Sequence, residues 1–144
     1  PDFEELLRLF EKNKVSYMIV GGYAVAFYGY PRFTKDIDLF YQNDAENVRR
    51  LMDALFSFGF ARHALNEKMF YEPGNLIKFG IEPVRIDLIN DIDGVKFEEI
   101  SDRIVRGKYG EVEANFIGKD DLIANKKASG RSQDMADLEK LVED

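Results

Sequence analysis

Apolar positions recur with two different periods along the chain, and the switches between them divide it into helices and strands. Phe3, Leu6, Leu7 and Phe10 repeat at three-and-four spacing behind Asp2, with Glu5 three residues after that cap, so a first amphipathic helix is expected to end near Asn13. "VSYMIV" (15–20) is a short β-branched run stopped by Gly21 and Gly22, and Tyr23 to Tyr28 suit a brief helix before Gly29 and Pro31 break it. "KDIDLFY" (35–41) alternates charged and apolar residues and reads as a second strand, followed by a helix cap at Asn43 or Asp44. Val48, Leu51, Met52, Leu55 and Phe56 then mark the clearest helix, which Gly59 stops. "NLIKFGI" and "VRIDLI" are two strands parted by Glu82 and Pro83, and "RIVRGKYG" with "EVEANFI" predicts a hairpin turning near Gly110. Two helices close the chain, over about 119–129 and about 133–142, with Gly130 and Ser132 as stop and restart.

The length of 144 residues, with no repeat or linker, makes this one domain over 1–144, and a hydrophobic fraction of 45% fills its core without staples. The chain has no cysteine, which excludes disulfides, thiolate metal sites and thiol nucleophiles and fits a reducing, cytoplasmic setting. No apolar run approaches the roughly 20 residues of a membrane span, and the acidic amphipathic amino end is unlike a signal peptide, so a soluble protein with no membrane partner is expected. A net charge of −7 argues against general nucleic-acid binding, which draws its affinity from basic residues. Arg103, Arg106 and Lys108 remain as a local basic patch.

The chemistry is carried by carboxylates. Side chains on a strand alternate faces, so Asp36 and Asp38 share one face while Ile37 and Leu39 enter the core on the other. Two ionised carboxylates on one site either retain a proton or recruit a cation, and Mg²⁺ takes one or two carboxylates plus substrate phosphates. A half-exposed strand of alternating charge is the plainer explanation, but aspartate is depleted in strands. Asp87 is a single acid bracketed by Val84, Ile86, Leu88 and Ile89. If its strand lies beside the first, three carboxylates converge, a set that holds two cations about 3.5–4 Å apart for phosphoryl transfer. Asp91 and Asp93 repeat the spacing, but with Asn90 and Gly94 they read as an exposed acidic turn.

Gly21 and Gly22 lie where strand gives way to helix, which suits a phosphate approaching the backbone as well as it suits a tight turn. In the helix near 119–129, Lys126 falls about 40° from Leu122 at 100° per residue, on the apolar stripe, where an anion is needed to meet it. A triphosphate is such an anion, and a snorkelling stem is the alternative. Lys127 turns to the surface. Asp134 faces inward at the start of the last helix and most cheaply pairs with Arg131 or Lys126, while Asp137 is structural.

A strand ending in Gly-Gly, a short helix, then Arg32-x-Thr34-x-Asp36-Ile37-Asp38 and later Asp87 resembles the DNA polymerase β-type nucleotidyltransferase superfamily. More narrowly the chain is similar to the small bacterial and archaeal branch related to abortive-infection toxin nucleotidyltransferases, whose closing lysine, arginine and two spaced aspartates match Lys126, Arg131, Asp134 and Asp137. The resemblance covers about 15–141. It implies an α+β nucleotidyltransferase fold, a central mixed β-sheet flanked by helices with two short C-terminal helices. It also implies transfer of an NMP group from an NTP to an acceptor hydroxyl with release of pyrophosphate. Asp36, Asp38 and Asp87 would be catalytic and hold Mg²⁺, two ions, with Mn²⁺ as a substitute. Gly21, Gly22, Arg32 and Lys126 would bind the nucleotide, and Thr34, Arg131 and Asp134 would support the ligands from behind. Many members carry Gly-Ser where this chain has Gly21-Gly22, so backbone N–H groups or Tyr23 must replace a hydroxyl contact.

The acceptor stays open between an RNA end, a protein side chain and a small molecule, and an antitoxin or a second copy of the chain is the partner that would complete or cap the site. The rival class is a nucleotide-binding toxin–antitoxin or regulatory module without turnover. A DxD phosphatase is disfavoured because "RFTKDIDLF" is charged ahead of its acids, and a DxD sugar transferase needs a larger domain. His63, the one histidine, has no motif around it and reads as a surface residue, so Ser-His-Asp chemistry has little support.

Overall fold

A strand that buries one face and uses the other needs a sheet with unequal covers, and the computed structural model shows one. It describes residues 2–30, 35–81 and 84–143. The strands are β1 (Tyr17–Val20), β2 (Asp36–Tyr41), β3 (Leu76–Ile81), β4 (Val84–Ile89), β5 (Val105–Tyr109) and β6 (Val112–Phe116). They form one mixed sheet in the order β3-β4-β2-β1-β6-β5. The pairs β2 with β4 and β1 with β6 are parallel, and the other three are antiparallel. The expected hairpin is β5–β6, turning at Gly110 in the left-handed region (φ 60°).

The first cover is apolar. Helix α1 (Asp2–Lys12) presents Phe3, Leu6, Leu7 and Phe10, and α3 (Ala45–Phe58) presents Val48, Leu51, Ala54 and Leu55. Both pack on Tyr17, Ile19, Ile37, Leu39, Ile86 and Leu88, all buried. Of the two caps expected for α3, Asp44 is the one used, its Oδ1 accepting the Asn47 N–H at 2.8 Å.

The second cover is partial. Helices α2 (Gly21–Phe27), α5 (Phe97–Ile100), α6 (Lys119–Ser129) and α7 (Ser132–Glu143) gather around Met18, Val20 and Phe40, and beyond that cluster the face stays open over Asp38 and Asp87. Gly130 ends α6 in the left-handed conformation (φ 67°), as expected. Four short pieces carry too few periodic positions to be read from pattern: α4 (Glu67–Tyr71), α5 and the single turns at 62–64 and 101–103. Helix α2 begins at Gly21 itself rather than at Tyr23, because the glycines form its first turn.

Asn47, buried inside α3, is the polar tie between the layers. Its Oδ1 accepts the Ser16 N–H at 2.6 Å, and its Nδ2 donates to Ser16 O at 3.0 Å and Gln42 O at 2.8 Å, fixing both strands at one end of the β1–β2 pair. Asn47→Ala leaves those backbone groups without partners and is expected to cost about 1–3 kcal/mol, measured by urea unfolding. An unchanged midpoint would show that water replaces the amide.

Candidate active site

Register places the site. Val20 pairs with Asp38 across β1–β2, Asp38 with Asp87 across β2–β4, and Asp87 with Lys78 across β4–β3. One row of side chains therefore crosses four strands on the open face, beside Gly21. Asp36 lies two residues before Asp38 on the same face, while Ile37 and Leu39 are fully buried on the other. The row floors a cavity of about 530 Å³ whose opposite wall carries Asn125, Lys126, Ser129, Arg131 and Asp134.

Asp87 is 6% exposed and Asp38 lies beside it. Burial, then a hydrogen bond to Asp87 and the charges of Asp87 and Asp36, push Asp38 up to about 7, against a smaller opposing effect of Lys78. Two carboxylates bond to each other only through a proton, and that proton stands where a cation would. Asp36 instead lies 3.9 Å from Arg85 Nε, so the three acids share a cavity without closing on one point. Among the described residues no three His, Cys, Asp or Glu side chains form a ready cage for a metal. Mg²⁺ needs none, since it is held by one or two carboxylates together with substrate phosphates, and a proton-sharing acid pair fits it.

Gly21 has a specific reason to be glycine. It sits at φ 68°, and a Cβ built on it would fall onto Asp38 Oδ2. Val20, the residue before α2, provides no side-chain cap for the helix's first N–H groups, which lie beside the carboxylates. Gly22 is buried in that same turn.

Across the cavity, Lys126 is 4% exposed, on the inner face of α6 as its helical angle predicts, while Lys127 is exposed. Its Nζ lies 2.7 Å from Asp134 Oδ1 and 3.2 Å from Asp137 Oδ2. Ser129 and Arg131 also donate to Asp134 Oδ2, Arg131 Nε at 2.9 Å. Asp134 is thus tied to both of its expected partners, and Asp137 shares the lysine. Burial alone would raise Asp134, but the hydrogen bonds from Lys126, Ser129 and Arg131 outweigh it and hold the carboxyl at about 2.

Arg32 and Thr34 lie outside the described residues. Asp91 and Asp93 are exposed, as a turn requires, yet they form the rim of the cavity, and Asn125 Nδ2 ties that turn to α6 through Asp93 O at 2.9 Å. His63 is exposed on its short turn. The basic patch expected near the hairpin is largely neutralised, because Arg103 makes a two-pronged pair with Asp121 and Arg106 pairs with Glu11 at 2.9 Å. Lys78 and Arg85 were missed by reading motifs. The signal for Lys78 was a lone charge in an apolar strand, the same oddity that marked Asp87.

The family pattern that spans residues 1–144 is described as "Nucleotidyl transferase of unknown function (DUF2204)". The chain belongs to that nucleotidyl transferase family. A search of curated protein sequences gives no match. Among solved structures, a proposed nucleotidyltransferase from Thermotoga maritima (TM1012) is similar at a TM-score of 0.66 and 12% identity, over 98% of this chain and 90% of that one. The lincosamide antibiotic adenylyltransferase LnuA, in its lincomycin-bound form, is similar at a TM-score of 0.62 and 15% identity, over 98% of this chain and 94% of that one. These likenesses establish the nucleotidyltransferase-like fold: a six-stranded mixed sheet flanked by helices, with two helices at the carboxyl end. No helix among the described residues is long and apolar enough to cross a membrane.

Two outcomes follow from this geometry. Gly21→Ala forces a side chain onto Asp38 at a left-handed position and is expected to lower stability by about 1–2 kcal/mol in chemical unfolding; equal stability would place the glycine elsewhere. For Asp134, a carboxyl depressed to about 2 from an ordinary value near 3.8 contributes stability above pH 4 that is lost as pH falls toward 2. Asp134→Asn is expected to flatten that acid limb of the melting temperature between pH 4 and 2, and an unaltered limb would refute the assignment.

Proposed function

We propose that this member of the nucleotidyl transferase family moves a nucleoside monophosphate from an NTP to an acceptor hydroxyl and releases pyrophosphate. The observation that carries the reading is the row of Asp38 and Asp87 in register beside Gly21, faced across one cavity by Lys126. Phosphoryl transfer asks a protein for positioning and charge stabilisation rather than for a covalent nucleophile. The acidic row and the buried ammonium that face each other across the cavity support the reading.

In this reading the triphosphate lies between the uncapped turn at Gly21 and Gly22 and the wall bearing Lys126, which exchanges part of its hold on Asp134 and Asp137 for phosphate oxygens. Asp36, Asp38 and Asp87 would hold Mg²⁺, which when bound neutralises the phosphate oxygens. Asp87 accepts the proton of the attacking hydroxyl as its oxygen bonds to the α-phosphorus and the bond to pyrophosphate breaks. Asp134 holds Lys126 and Arg131 at the cavity wall. Arg32, from the matching motif, is the further phosphate contact. With Arg103 and Arg106 engaged in ion pairs, a protein side chain or a small hydroxylated molecule is favoured over an RNA end.

The test is transfer of label from each α-labelled NTP, with Mg²⁺, into fractions of a cell lysate. Asp38→Asn is expected to reduce the label by at least about 10²–10³-fold. Label retained at the wild-type level would sink the site, and Mg–NTP binding by calorimetry with no transfer to any fraction would favour the silent binding module instead.

A further inference from the structure

The row across the sheet ends on a residue that the transfer reading does not use. Lys78 sits on the edge strand β3, opposite Asp87, and its Nζ is 3.4 Å from both carboxylate oxygens of that aspartate. It is a lone charge among Leu76, Ile77, Phe79 and Ile81, on a side chain 47% exposed, so the strand gains nothing in its own packing from a lysine there. The equal distances put the ammonium over the open edge of the carboxylate, across both oxygens, which is where a cation shared with Asp38 would also lie.

A count of charge on the row sharpens this. Asp36 has Arg85 nearby, Asp87 has Lys78, and among the described residues Asp38 forms no ion pair of its own. Among the described residues, then, Asp36 and Asp87 each have a cation beside them and Asp38 is the acid of the row that forms no ion pair. By carboxylate number alone the set admits two divalent ions. A second dication on Asp87 would have to share that carboxylate with an ammonium and repel it.

We propose that Lys78 takes the place of a second metal ion beside Asp87, so that the site works with a single divalent ion at the Asp36–Asp38 pair. This rests on the transfer reading above. Asp87 then faces the acceptor as a carboxylate held by an ammonium, and the acceptor enters over the edge strand, past Lys78 and the exposed Leu76. Lys78 is a positioning residue for Asp87, touching the carboxylate that takes the proton.

The number of ions can be read without turnover. Mn²⁺ is titrated into the chain with the α,β-methylene analogue of ATP, with the GTP, CTP and UTP analogues in parallel, and followed by electron paramagnetic resonance. Two Mn²⁺ ions about 3.5–4 Å apart give a spin-coupled spectrum, and one gives an isolated six-line spectrum. The wild type is expected to bind one uncoupled Mn²⁺ per nucleotide, Lys78→Met a coupled pair, and Lys78→Arg one again. Circular dichroism confirms that each variant is folded. A coupled pair in the wild type, or a single ion in both wild type and Lys78→Met, overturns the substitution of lysine for metal while leaving the transferase reading standing. No nucleotide-dependent Mn²⁺ in the wild type with any analogue overturns both.

Discussion

Two aspartates meet across a pair of parallel strands in the middle of a sheet whose other face is a packed apolar core. Nearly everything distinctive in the open half of this domain answers that one electrostatic demand. Burial and the neighbouring Asp87 carboxylate, with the charge of Asp36 behind it, push Asp38 up to about 7. Burying like charges is costly, and along this row the fold accepts that cost. Gly21 is stripped of a side chain to leave room for Asp38, Arg85 stands by Asp36, and Lys78 reaches in from the edge to Asp87.

The core on the opposite face is what makes such an arrangement tolerable. Ile37 and Leu39 alternate with Asp36 and Asp38, so the residues that place the acids are anchored under α1 and α3 and cannot slip register without exposing apolar surface. Asn47 adds a polar constraint by tying both strands, at one end of the β1–β2 pair, to α3. Rigid backbone on one side of the strand thus holds mutually repelling side chains on the other.

The far wall of the cavity is built on the same logic with the signs exchanged. One buried ammonium, Lys126, is held by Asp134 and Asp137, with Ser129 and Arg131 completing the set on Asp134. A charge this buried is kept only when paired, and its partners come from the next helix, so α6 and α7 are joined by the residues that face the cavity. The acidic floor and the far wall, with its buried ammonium, thus face each other with opposite signs across one cavity.

Local periodicity was enough to recover the six strands, the long helices and the faces of Asp36, Asp38 and Lys126, because alternation and helical angle are properties of neighbours in sequence. It also singled out Asp87, since a lone acid in an apolar strand is conspicuous without any fold. Short pieces such as α4 and α5 escaped, being too brief to show a period. What only the tertiary structure decided is who stands next to whom across strands: that Asp87 falls level with Asp38, that Lys78 falls level with Asp87, and that Arg103 and Arg106 are taken up by Asp121 and Glu11. Those pairings join residues 9 to 95 positions apart, and no local pattern carries register between strands, because it is set by how both apolar faces pack against their covers.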